Sequence, residues 1–383
     1  MKWYSLNTVC FILAMLSISC ADDENGESAE NDTDSLSDSA GDTSSQTSVD
    51  SSNCSKSALA EVLNEQLAAV ESEVDFAFYL EDDQGHSFKY ERGTATMDTP
   101  YESASTSKWV SATVILTLVD KGLLSLDDAP SDYLSETEWP VDATHPLYAI
   151  TLRELLNFTS GLSDEAPCHN LPNRDYFKCV ASIAEQNLTT GTTPGSAFYY
   201  ASNHLQVAGA MAVRAGGYSD WASLFADFKT DTGLFSHSDY NLPSTTNPRL
   251  AGGMTWTGND YVEFIRQFKN ADFYSSDALV VQASSDQLGD TPIAYSPALL
   301  RTGEDWHYGF GMWIECHSAQ WNCTNVTQVS SAGAFGAYPF WNKQYGFIGI
   351  IARQGELGTG FEGYDTYKEV RTAAENWAMC PAI

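Results

Sequence analysis

Ser105-Thr-Ser-Lys-Trp-Val-Ser-Ala-Thr-Val-Ile-Leu-Thr-Leu-Val-Asp-Lys-Gly122 contains the only serine in the chain that stands three residues before a lysine. A serine hydroxyl is almost fully protonated at neutral pH, so it attacks only with a base within hydrogen-bond reach. Residues three apart on a helix share a face, which predicts that the Lys108 amine is directed at the Ser105 hydroxyl. A helix N-terminus at this point would add free N–H groups and the positive end of the dipole. Trp109, Val110, Ala112, Val114, Ile115, Leu116, Leu118 and Val119 make the run apolar on most sides, which predicts a helix buried in the centre of a domain. Lys121-Gly122 reads as its basic last turn and its stop.

Extended to Leu123-Leu-Ser-Leu-Asp-Asp128, this stretch resembles the active-site helix of the serine β-lactamase and penicillin-binding-protein superfamily, nearest to its class C-like branch. Thr151-Leu-Arg-Glu-Leu-Leu-Asn-Phe-Thr-Ser-Gly-Leu162 and Leu250-Ala-Gly-Gly-Met-Thr-Trp-Thr-Gly-Asn-Asp-Tyr261 are similar to two further signatures of that branch. The resemblance implies an α+β fold of the β-lactamase/transpeptidase type, with an antiparallel sheet flanked by terminal helices and a mostly helical subdomain across the cleft. It also implies a tyrosine followed two residues on by asparagine or a substitute. Tyr200-Ala201-Ser202 fits best, with Tyr199 and Asn203 as competitors one residue out of step. A phenol works as a base only if a neighbouring ammonium lowers its pKa, and Lys108 is the expected neighbour. His204, just after, is expected to pack on a helix or lie on its surface.

The third element implied is Lys-Thr-Gly or His-x-Gly on the inner edge strand, and here Ser331-Ala332-Gly333 occupies its place. Gly333 is expected to let the substrate approach the backbone, and the Ala334 N–H to form an oxyanion hole with that of Ser105. Ser331 replaces the cation that would help hold a substrate carboxylate. That substitution points to an uncharged substrate.

Farther out, Lys2 precedes a short apolar run that ends in Leu16-Ser-Ile-Ser-Cys20. This is a signal peptide over 1–20, and Cys20 is the expected lipidation site of a bacterial lipoprotein. Residues 21–53 hold ten acidic residues and no Lys or Arg, so a disordered tether is expected. The chain carries −32, the first twenty residues +1 and the tether −10, which leaves −23 on the catalytic domain, 54–383. Such a surface argues against nucleic-acid and anionic-lipid binding. Membrane contact is expected only through the lipid anchor, in the bacterial cell envelope.

Beyond Cys10 and Cys20, six cysteines allow fifteen pairings. Spacing favours Cys168 with Cys179, and Cys316 with Cys323 at the tip of a hairpin of strands Tyr308–Glu315 and Thr327–Ser331. Cys54 and Cys380 begin and end the domain, and the resemblance places the first and last helices side by side, which pairs them. No Cys-x-x-Cys pair or histidine cluster suggests a metal. No cofactor is expected.

Alternation and 3.6-residue periodicity predict a helix over 55–74, strands over 76–80 and 87–93, further strands over 308–313, 333–338 and 346–352, and a closing helix over 366–378. The aromatic residues Trp306, Tyr308, Phe310, Trp313 and Trp341 are expected in the core and the cleft wall. Asn-x-Thr triplets at Asn157, Asn187, Asn322 and Asn325 matter only in a glycosylating host. Together these features point to a secreted serine hydrolase working through an acyl-enzyme on neutral carboxylic esters. A β-lactam or D-amino-acid peptide substrate, or a penicillin-binding sensor or adhesion module without turnover, is the alternative.

Overall fold

The computed structural model describes residues 54–163 and 165–381. The expected signal peptide, with Cys20, and the acidic stretch lie outside the described residues.

Seven antiparallel strands form the central sheet, in the spatial order Ser87–Glu91, Ala77–Asp82, Phe347–Ala352, Tyr338–Asn342, Gln328–Ser330, Trp313–Ile314 and His307–Tyr308. Alternation along Ala77–Asp82 sends Phe78 and Leu80 to one face and Tyr79 and Glu81 to the other. On the first face lie the helices Lys56–Ala69 and Glu362–Met379, side by side, with Trp377 against Phe88 and Tyr367 against Phe340 at ring separations of 6.3 and 4.3 Å. The Cys54–Cys380 disulfide ties their outer ends together. The second face carries the helix Gly258–Asn270, whose Arg266 makes two 2.6 Å bonds to Glu81. Cys168–Cys179 and Cys316–Cys323 complete the three expected disulfides.

Between the two chain ends, the helices Leu152–Leu156, Tyr176–Thr190, Asn203–Ala215 and Trp221–Thr232 build the second layer. The helix Ser107–Asp120 packs on Asn203–Ala215 and is buried at every position from Ser107 to Leu118. A helix apolar on most sides has no face to give to water, so it becomes the axis around which both layers pack. Trp109 meets Phe264 and Phe268 edge-on at 5.8 and 5.5 Å.

Three strand expectations need correction. The span 308–315 is not one strand: Gly309 and Gly311 turn the chain, and its two halves pair with each other as His307–Tyr308 and Trp313–Ile314. Gly311 has φ +74°, and a Cβ there would lie 2.5 Å from the Lys108 carbonyl, so the turn is pressed against the Ser105–Lys108 segment. Because this hairpin extends the sheet, Gln328–Ser330 is an internal strand rather than its edge. The span 333–338 is a turn closed by Gly336 N–H to Gly333 O at 2.8 Å, and the strand begins only at Tyr338.

Candidate active site

Ser105 sits in the single turn Ala104–Thr106, which runs directly into the helix Ser107–Asp120. Ala104 holds φ +46°, in the left-handed region that an alanine adopts only under constraint. The strained residue immediately precedes the serine. Lys108 donates to Ser105 Oγ at 2.8 Å and to the Ala251 carbonyl at 2.8 Å, so its amine is fixed between the serine and a loop 143 residues away. Burial removes water from the amine and lowers its pKa to about 7; Glu165 opposes that shift and Arg249 adds to it. A neutral amine is therefore accessible near neutral pH.

Tyr200, not Tyr199, reaches the serine: its phenol shares a hydrogen bond with Ser105, and its ring lies 4.7 Å from the Lys108 nitrogen. Trp313 stacks on that ring at 4.9 Å with 13° between planes, which fixes its orientation. Burial pushes the phenol above its ordinary pKa, contrary to the expected lowering by an ammonium. The phenol's own desolvation is the largest cause and the Glu165 carboxylate adds to it, while the hydrogen bond with Ser105 opposes it. Ser202 turns from the serine and gives its N–H and hydroxyl to Glu165 Oε1, both at 2.8 Å. Asn203 is buried, with its amide donating to the Ser163 carbonyl at 2.7 Å. His204 is fully buried, 2.8 Å from both Ser160 Oγ and the Tyr199 carbonyl and stacked on Phe158, and burial lowers its pKa to about 4. It packs in the core, away from any surface.

Ser331-Ala332-Gly333 does arrive beside the serine, in a different role from the one expected. The Ser331 hydroxyl is buried and donates to the Ser105 carbonyl at 3.1 Å. A Cβ on Gly333 would lie 2.4 Å from the Ser103 carbonyl, so the glycine makes room for the nucleophile turn itself rather than for a substrate backbone. Among the described residues no acceptor is bonded to the N–H of Ser105 or of Ala334, and both residues line the cleft. These are the two donors an oxyanion requires.

Ser105 opens on two cavities. One, about 690 Å³, is walled by Tyr199, Tyr295, Leu300, Trp313 and Phe361, with Arg301 tied to Asp365 at 2.8 Å. The other, about 340 Å³, holds Lys108, Glu165, Ser202, Arg249 and Leu357. Of the expected aromatic wall, Trp313 lines the first cavity; Trp306 and Phe310 are buried in the core. Glu165 and Arg249 escaped the sequence reading although each adjoins a quoted motif, Glu165 three residues after Leu162 and Arg249 just before Leu250. A single charged residue next to a motif carries no periodic signal.

A family model described as Beta-lactamase matches residues 76–373. No curated protein sequence gives a significant match. Among solved structures, a candidate β-lactamase from Bacteroides dorei superposes with a TM-score of 0.69 at 25% identity, covering 84% of this chain and 99% of that one. EstCE1, a hydrolase with promiscuous acyltransferase activity, gives 0.63 at 14%, with 85% and 98% covered. The D-amino acid amidase from Ochrobactrum anthropi gives 0.61 at 16%, with 84% and 99% covered. Because the family match runs through nearly all of the described domain and includes the Ser105 helix, the chain belongs to the β-lactamase family.

Proposed function

We propose that the chain hydrolyses carboxylic esters through a covalent acyl-enzyme on Ser105. The observation that carries this reading is the 2.8 Å contact between the Ser105 hydroxyl and an amine whose pKa lies about 7. Lys108 takes the hydroxyl proton as Ser105 Oγ bonds to the substrate carbonyl carbon. The N–H groups of Ser105 and Ala334 hold the oxyanion. Tyr200, kept neutral by burial, passes the proton on to the departing alcohol, and the same groups then activate the water that releases the acid. The acyl group is neutral: the larger cavity is walled by aromatic rings, and position 331 brings a hydroxyl already committed to Ser105 instead of a cation.

Hydrolysis of a β-lactam or a D-amino-acid amide is the second reading, favoured by the unpaired Arg249 in the cleft. The three disulfides support an oxidising compartment, and export with a lipid on Cys20 follows from the signal-like N-terminus. The test has two parts. A fluorophosphonate should label the protein and leave Ser105→Ala unlabelled; undiminished labelling of the variant ends the mechanism. Rates on a nitrophenyl ester and a chromogenic cephalosporin, side by side, then decide the substrate, and a faster cephalosporin reverses the order of the two readings.

A further inference from the structure

Arg249 forms no close ion pair among the described residues; the carboxylate that acts on it is Glu165, across the cavity. The chain has 51 acidic and 19 basic residues, and Arg214, Arg266, Arg301 and Arg353 each meet a carboxylate. The Arg249 guanidinium has no ion pair and no hydrogen bond among the described residues, and its Nε is buried without an acceptor. An unsatisfied buried donor in a rigid setting calls for a missing partner.

The setting is rigid. The Arg249 N–H donates to the Leu242 carbonyl at 2.9 Å, and the Arg249 carbonyl accepts from the N–H groups of Gly252 and Gly253 at 3.1 and 2.6 Å. The same loop supplies the Ala251 carbonyl that holds Lys108. Glu165 shares the cavity, beyond ion-pairing distance from Arg249, and one of its oxygens is occupied by Ser202.

The two cavities share Ser105, Ala334, Tyr200 and Glu165, so a carbonyl bound at Ser105 and Ala334 can place one half of the substrate in each. Tyr200, which passes the proton on, borders both cavities, while Lys108 lines only the one that holds Arg249, and the aromatic walls of the larger cavity take the neutral acyl half. The leaving group therefore departs on the Arg249 side.

We infer that Arg249 receives a carboxylate carried by the alcohol or phenol half of the substrate, so that the ester is neutral on its acyl side and anionic on its leaving side. The planar fork of the guanidinium matches a carboxylate with two parallel N–H···O bonds. In the reaction, the Ser105 Oγ–carbon bond forms, the bond from carbon to the phenol oxygen breaks, and that oxygen takes the proton removed from Ser105. The carboxylate remains on Arg249 throughout. This inference rests on the acyl-enzyme reading above.

Two esters with one acyl group test it: 4-butyryloxybenzoate and its neutral counterpart 4-acetylphenyl butyrate. Rates are taken on the plateau of each variant's own pH profile, so that loss of the Arg249 charge does not act through the base. With each rate divided by that ester's own hydroxide-catalysed rate, the wild type should favour the benzoate in kcat/KM. The ratio should fall roughly ten- to a hundred-fold in Arg249→Gln, fall less in Arg249→Lys, and rise in Glu165→Gln, where a like charge leaves the cavity. A wild-type ratio below one, or a ratio unmoved by Arg249→Gln, overturns the inference and leaves the acyl-enzyme reading standing. No turnover of either ester overturns both.

Discussion

The Ser331 hydroxyl donates to the carbonyl of Ser105 at 3.1 Å, so the residue that replaces the expected cation is a tether for the Ser105 backbone. Ser331→Ala removes that bond and leaves the turn held by the strain at Ala104 and by its helix. One neutral hydrogen bond is worth about 1 kcal/mol. We expect kcat to fall about three- to tenfold on a nitrophenyl ester while KM changes little. An unchanged kcat would show that the turn needs no tether.

Ester hydrolysis should depend on the protonation of Lys108. Its pKa is lowered by burial to about 7, and only the neutral amine takes the serine proton, so kcat/KM should rise with pH through about 7 and level off above it. Arg249 helps lower this pKa, so Arg249→Gln should move the rise to higher pH; Glu165 opposes it, so Glu165→Gln should move the rise to lower pH. A profile flat from pH 5 to 9 in the wild type excludes Lys108 as the base.

Gly333→Ala places a methyl 2.4 Å from the Ser103 carbonyl, against backbone that cannot rotate away. Overpacking of this kind costs about 1–3 kcal/mol. Because the displaced atoms lead straight into Ser105, activity should fall more than tenfold at temperatures where circular dichroism still reports a folded protein. Full activity in this variant would mean that the turn yields without disturbing the serine.

The Cys54–Cys380 bridge closes a loop of 326 residues between the two terminal helices. Cys54→Ser with Cys380→Ser should lower stability to urea by about 2–4 kcal/mol, through freedom restored to the unfolded chain. The ester ratio between the benzoate and its neutral counterpart should not move, because the bridge sits at the Cys380 end of the last helix, opposite the Phe361 end that borders the larger cavity. A changed ratio would connect the bridge to the cleft.

The Ser105–Lys108 pair was legible because its chemistry is local. Three residues of helix set the distance between hydroxyl and amine, and the apolar run after them sets the burial that lowers the lysine. Tyr200 was legible only to within one residue: Tyr199, Tyr200 and Asn203 are all short steps from a helix start, and the choice is made by Trp313, more than a hundred residues later, stacking on one ring. The strand boundaries over 308–338 were misread for a similar reason. Apolar and aromatic residues continue through the turns there, and glycines pressed against the nucleophile segment, not a break in hydropathy, decide where the chain bends.

Residue identity at short spacing, and the burial that a helix apolar all round requires, made the family, the Ser105–Lys108 pair and the two short-range disulfides legible in the sequence, while Cys54–Cys380 followed from the terminal helices that the resemblance places side by side. Only the tertiary structure decided what surrounds them. The Tyr200 phenol is held above its usual pKa by its own burial, with the Glu165 carboxylate adding to it. Ser331 faces a carbonyl rather than a substrate. Glu165 and Arg249, 84 positions apart, share one cavity. Desolvation and the pairing of charges depend on what is packed nearby in space, and spacing along a chain does not record which distant loops will meet.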